Sequence, residues 1–295
     1  MSEYQRYEFV ALERPLTAKQ MAELRTVSTR AEITPTRFVN EYQWGNFRGD
    51  PVQLVAQYFD AHLYLANWGT RLLMLKLQSD QVSVRGLRPY LVGDAARALR
   101  AGKHLIIELC SNDEERDFYE DESEDNALAA LVPLRTELLA GDLRVAYLAW
   151  LLALQAGDVA EDATEPPLPP GLADLTAAQQ ALVEFLRIDR DLLSAAAAAS
   201  PPLADDTAAA RRWLLGLSPR AKELWLQRAL ENPNVALGME LRGTFRQQTK
   251  APFPNPQRRA AELLAAAEDA RTKRDRAAMR RPSRATTMSG KPTKH

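Results

Sequence analysis

The apolar pattern of this 295-residue chain changes character once, at an acidic stretch spanning residues 113–125, and that change bounds the folds open to it. Before the stretch, short runs of β-branched and aromatic residues alternate with segments of helical spacing. After it, the spacing is helical throughout. A chain of this kind cannot be all-β or a uniform bundle.

The front part reads as strand, helix, strand, helix, two strands, helix, strand. Residues 7–12 are rich in β-formers. Thr17 followed by Gln20 is a capping box, which opens a helix that turns Met21 and Leu24 inward. Residues 36–44 alternate as a strand, with Phe38, Asn40, Tyr42 and Trp44 on one face. Gly45 and Gly49 bracket a turn, and Asp50-Pro51 supplies an N-cap and a proline at the first helical position. The spacing predicts that this helix carries Leu54, Val55, Tyr58, Phe59, His62 and Leu63. Residues 71–77 and 82–87 read as paired strands, Asp94 as the cap of a short helix, and residues 104–110 as a further strand. The expected fold class is α+β: a small α/β sandwich with helices on one face of a largely antiparallel sheet, ferredoxin-like as one candidate, followed by an all-α part.

In the rear part, residues 127–139 and 143–155 are helical segments separated by Gly141-Asp142. Residues 165–171, Glu-Pro-Pro-Leu-Pro-Pro-Gly, form a stiff break. Thr176 and Gln179 repeat the capping box, and Leu182, Phe185, Leu186 and Leu193 follow on one stripe with Asp189 among them. Ser218-Pro219 opens another helix, anchored by Leu224 and Trp225. Asn255-Pro256 opens the last, which runs to about residue 281. The organisation expected is an α/β domain at 1–112, an acidic loop at 113–125, a helical domain with its own core at 126–281, and a disordered basic tail at 282–295, where a single methionine is the only large apolar side chain.

Charge is nearly balanced overall, at −1, but not locally. Residues 113–125 hold nine acids and one arginine, whereas residues 258–295 hold eleven Lys or Arg and four acids. The only cysteine is Cys110, so no disulfide forms within one chain. The first fifteen residues lack the apolar core of a secretory signal, and the longest apolar run, residues 145–154, is about half the length a membrane span needs. These features predict a soluble, cytoplasmic protein without membrane partners.

Five short stretches carry a family resemblance: Tyr7-Glu8-Phe9, Arg14-Pro15-Leu16-Thr17, Ser28-Thr29-Arg30-Ala31, Ala66-Asn67-Trp68-Gly69-Thr70-Arg71 and the strand that follows. Over residues 7–77 the chain resembles a family of uncharacterised bacterial proteins. The resemblance implies no activity, cofactor or site residue.

No motif for metal, cofactor or nucleophilic chemistry stands out. His62, His104, His295 and Cys110 show no ligand spacing, and His104 and Cys110 are too far apart along one strand to share an ion. Cys110 precedes an acidic run that opposes a thiolate. There is neither a Walker loop nor a Gly-x-Gly-x-x-Gly turn, and no cofactor is expected. Two elements could bind a ligand. In the turn 45–50, Arg48 precedes a helix N-terminus, where an anion would compete with the Asp50 carboxylate. In the Asn67-Trp68-Gly69-Thr70-Arg71 turn, the tryptophan could be a platform or a plug, and Asn67 and Arg71 could hold a carboxylate. The leading expectation is a protein-interaction or scaffold protein with an unidentified protein partner. The alternatives are a weak, non-specific nucleic-acid binder using the basic C-terminal helix, with residues 271–281 solvated, and an enzyme with its site near Trp68 and Arg71.

Overall fold

The computed structural model describes residues 3–79, 82, 84–113, 126–203, 206–231, 237–249 and 257–279. Seven strands form one sheet: β1 (Gln5–Val10), β2 (Glu32–Ile33), β3 (Arg37–Tyr42), β4 (Ala61–Ala66), β5 (Thr70–Gln78), β6 (Ala96–Ala101) and β7 (His104–Asn112). Their order is β2-β3-β1-β4-β5-β7-β6, and every pairing is antiparallel. A ferredoxin-like arrangement contains a split β-α-β unit, which sets two strands parallel. That arrangement is therefore not the one formed.

Both faces of the sheet are covered. On one, Phe9, Phe38, Met74 and Ile106 pack against Leu24 of helix α1 (Ala18–Val27) and Leu54 and Val55 of helix α2 (Pro51–Gln57). On the other, Leu63, Leu65, Leu73, Leu75, Ile107 and Leu109 belong to a core shared with the rear helices. Those helices are α4 (Ala127–Leu131), α5 (Pro133–Leu139), α6 (Arg144–Gln155), α7 (Ala177–Phe185), α8 (Arg190–Ala197) and α12 (Ala260–Met279), and they follow a short α3 (Val84–Leu87). The expected one-sided sandwich and separate helical core give way to a sheet sandwiched by helices. The cause lies in the central strands: β4, Ala-His-Leu-Tyr-Leu-Ala, is buried on both faces, and both must be kept from water.

Three local elements differ from expectation, and the double burial explains the first. β4 has no period-two alternation, so His62 and Leu63 looked helical. The helix in fact ends at Gln57, and Asp60 ties the chain into the sheet: its amide donates to Val10 O at 2.8 Å, and its carboxylate accepts from the Leu12 and Glu13 amides and from Lys76 Nζ at 3.2 Å. Residues 84–87 are helix rather than strand. After Asp94 comes strand β6, because the Asp94 and Ala95 amides donate to Asp158 of a distant loop instead of opening a helix.

From Ala127 on, the named elements are helices, joined by one β-bridge between Thr164 and Arg259. Apolar side chains surround α6 on every side, with Val145 through Leu154 all buried. The Pro-rich break is pinned. The buried Glu165 carboxylate accepts from Arg258 Nε at 2.7 Å and Nη2 at 2.8 Å, and from the Tyr147 hydroxyl. Burial, reinforced by the Glu165 charge, pushes the Tyr147 hydroxyl far above its usual range. The chain segments run side by side as well, Ala260 N–H donating to Ala163 O and Glu165 N–H to Arg258 O. A second buried pair, Arg144 with Asp142, reaches the Gly171 and Asp174 carbonyls. Burial alone would raise the Asp142 carboxyl, but the Arg144 bonds outweigh it and hold it low.

Candidate functional site

The Asn67–Arg71 turn joins two strands, β4 and β5, and not a helix to a strand. Gly69 lies at φ 99°, where a side chain would strain the backbone, and its amide donates to Ala66 O. Asn67 clamps the start of β1: its Oδ1 accepts from Tyr4 N–H and its own amide donates to Tyr4 O, both at 3.0 Å. Arg71 leaves the turn the other way. It donates to Phe185 O at 3.3 Å at the end of α7, with its guanidinium 5.8 Å from the Phe185 ring centre. Beside it, Arg187, at φ 54°, pairs with Asp113 at 3.5 Å. The turn thus fastens helices to one end of the sheet. Asn67 and Arg71 point to different partners, Trp68 stands half-exposed, and none of the three lines the cleft that holds Arg48.

Arg48 lies elsewhere, in a cleft of about 430 Å³ between the α1–β2 loop and the β3–α2 loop. Its walls include Thr29, Arg30, Tyr42, Trp44, Asn46 and Arg48. The Asp50 carboxylate caps α2 at Val52 N (2.9 Å) and Gln53 N (3.2 Å), so those amides are taken. A ligand in the cleft would instead meet side chains. Trp44, which the alternation placed on one strand face with Phe38, Asn40 and Tyr42, lies past the end of β3 and is 72% exposed. Gly45, at φ 82°, turns the chain directly after it.

Beneath the cleft is a buried polar layer. Asn40 Nδ2 donates to Ser28 Oγ at 2.8 Å and to the Tyr42 hydroxyl at 2.7 Å. Gln5 Nε2 donates to Gly45 O, while its Oε1 accepts from the Tyr7 and Tyr64 hydroxyls. Burial pushes both of these hydroxyls up, so they stay protonated donors. Sequence reading identified Arg48 but missed Ser28, Arg30, Tyr42 and Trp44, which come from two loops that only the β2-β3-β1 pairing brings together.

The other expected features fall as follows. Cys110 is half-buried, and burial, then the Glu108 charge, raises its thiol. Asp189 is no lone half-buried acid: it caps α8, accepting from Asp191 N–H and Leu192 N–H, and pairs with Arg271 of α12. Arg274 reaches Asp191 at 2.5 Å. The start of the basic segment 271–281, expected to be solvated, is thus drawn onto α8 by carboxylates at that helix's N-terminus. The acidic residues 114–125 and the basic residues 280–295 lie outside the described residues. Among the described residues no helix is long and apolar enough to cross a membrane.

One surface had no counterpart in the sequence reading. Helices α9 (Thr207–Gly216) and α10 (Pro219–Glu231) precede α11 (Leu237–Thr249). Trp213 of α9 packs on Phe245 of α11, with ring centres 5.7 Å apart, and its indole N–H donates to Gln248 Oε1. Yet α9 has no buried residue, and none of the described side chains of α10 is buried. Leu224, expected as an anchor, faces solvent together with Leu214, Leu215, Leu226 and Leu230, the last 84% exposed.

No family model, curated protein or solved structure matches the chain.

Proposed function

We propose that the protein is an interaction module that receives an amphipathic, acidic helix of a partner protein on helix α10. The observation that carries this reading is the exposure of leucines on two consecutive helices, above all Leu226 and Leu230, which stand one turn apart on the same side of α10. Scattered exposed leucines are ordinary, but two on one face of a helix that buries no described side chain form an apolar strip of the kind that marks binding surfaces. A helix that lays its own apolar stripe along α10 would cover Leu226 and Leu230. Charge sets the sign of the partner: residues 207–231 contain five basic residues and two acidic ones, which steers acidic surfaces toward this segment.

A photo-crosslinking amino acid at position 226, placed in the full chain and activated in cells that make the protein, tests this. The expected product is one discrete adduct whose mapped peptide is an acidic, helix-forming segment of another protein. The same group at exposed Arg100 on β6 should give none of it. A crosslink to a second copy of this chain, a basic partner segment, or no adduct at position 226 would overturn the reading.

A further inference from the structure

We infer that the cleft between the α1–β2 and β3–α2 loops binds a nucleoside phosphate, with the phosphate on Arg30 and Arg48 and the base on Trp44. The residues that line it carry two guanidinium groups and no carboxylate. Several arginines of the sheet are engaged, Arg37 with Glu8 at 2.8 Å, Arg97 with Glu108 at 2.6 Å and Arg71 with a carbonyl, whereas Arg100 of β6 is exposed. Neither Arg30 nor Arg48 has an ion-pair or hydrogen-bond partner among the described residues. Two positive charges facing one hollow without compensation favour an anion there, and the fork of a guanidinium matches phosphate oxygens two at a time.

The buried layer supplies the second argument. Asn40 donates one proton to Ser28 Oγ and the other to the Tyr42 hydroxyl. Both oxygens therefore act as acceptors toward the protein, and each keeps its own O–H proton to give elsewhere. Ser28 and Tyr42 both line the cleft. The hollow thus presents donors from four side chains, two of them charged, and an acceptor-rich group such as a phosphate ester answers all four. Asn40 is 3% exposed, so this orientation is fixed by the core before any ligand arrives.

Trp44 supplies the third. An indole 72% exposed at the rim of a cationic cleft is a surface on which a base can stack. A volume of about 430 Å³ lies within the usual range for small ligands and suits one nucleotide better than a polymer.

The experiment is calorimetric titration of the full chain with AMP, adenosine, inorganic phosphate, a phosphotyrosyl peptide and a short single-stranded oligonucleotide. The expected order is AMP tightest, phosphate and adenosine each weaker by about tenfold or more. Arg48→Ala and Arg30→Ala should each weaken AMP about tenfold, with unchanged melting because both side chains are exposed. Trp44→Ala should weaken AMP while leaving phosphate binding as it was. The inference is overturned if AMP does not bind at millimolar concentration, if either arginine variant binds it normally, if phosphate alone binds as tightly, or if the peptide or oligonucleotide binds where AMP does not.

Discussion

Helices α10 and α12 invert what their sequences promise. Over thirteen residues α10 carries Leu224, Trp225, Leu226 and Leu230, whereas α12 offers Leu263, Leu264 and eight small alanines among its twenty. Yet Leu263 is fully buried and Leu230 is 84% exposed. The difference lies in what holds each helix in place. α12 enters beside the Glu165–Arg258 pair and the Ala163–Ala260 backbone bond, and further along it meets Asp189 and Asp191 through Arg271 and Arg274. α10 has no comparable buried anchor among the described residues. Apolar content makes a helix face eligible for burial; the contrast implies that directional contacts at its entry decide whether it docks.

The most severe way to break that comparison is to remove the anchor. Glu165→Ala leaves the Arg258 charge and the Tyr147 hydroxyl facing a hole, and loss of one partner of a buried pair costs about 3–5 kcal/mol. Urea unfolding should show that loss, together with faster proteolysis within α12. Leu263→Ala, which empties a site inside the shared core, should cost about 2–5 kcal/mol in the same assay. If Glu165→Ala costs less than 1 kcal/mol, the anchor does not decide docking and the apolar face alone does.

Acid strains the docked body by another route. His62 lies fully buried in β4, stacked on Phe9 at 3.9 Å, with Nδ1 bonded to Glu8 O. Burial lowers its pKa from 6.5 to about 3. The folded chain therefore stays unprotonated at His62 over a range in which the unfolded chain takes up a proton. Stability is full above about pH 6.5 and falls as the pH drops toward 3, by about 1.4 kcal/mol per unit from this group. Urea titrations at pH 7 and pH 4.5 should differ by about 2–3 kcal/mol more in the wild type than in His62→Gln. Equal pH dependence in the two would show that His62 is not the responsible group.

Much of the fold was legible where local chemistry acts alone. Both capping boxes, at Thr17 and Thr176, and the Asp50 cap with Pro51 form as the residue types dictate. What was not legible depends on distant partners. β4 hid because a strand buried on both faces loses its alternation, and the shared core hid because each helix stripe names an apolar surface without naming its cover. The site divides the same way. Arg48 could be picked out from its own loop, but Ser28, Arg30 and Tyr42 matter only once the sheet aligns two loops. Asn67 and Arg71 drew notice because they are polar beside a glycine turn, and their partners proved to be Tyr4 and Phe185 of the same chain.

The smallest effect sharpens the comparison most. If α10 is open by design, its leucines contribute nothing to folding. Leu226→Ser and Leu230→Ser should each change urea stability by no more than about 0.5 kcal/mol, since the side chains are 65% and 84% exposed and lose little contact. Serine costs some helix propensity, about half a kcal/mol against leucine at most, which sets the expected sign as slightly destabilising. Combined, Leu226→Ser and Leu230→Ser should abolish the adduct formed by a crosslinker at exposed Gln227 between them, because removing two apolar side chains removes most of what a partner helix would cover. Stability near wild type with the adduct abolished is the signature of a surface kept for another protein. A loss of 2 kcal/mol or more would mean that these leucines already have a cover within the chain, and α10 would then belong with α12 rather than against it.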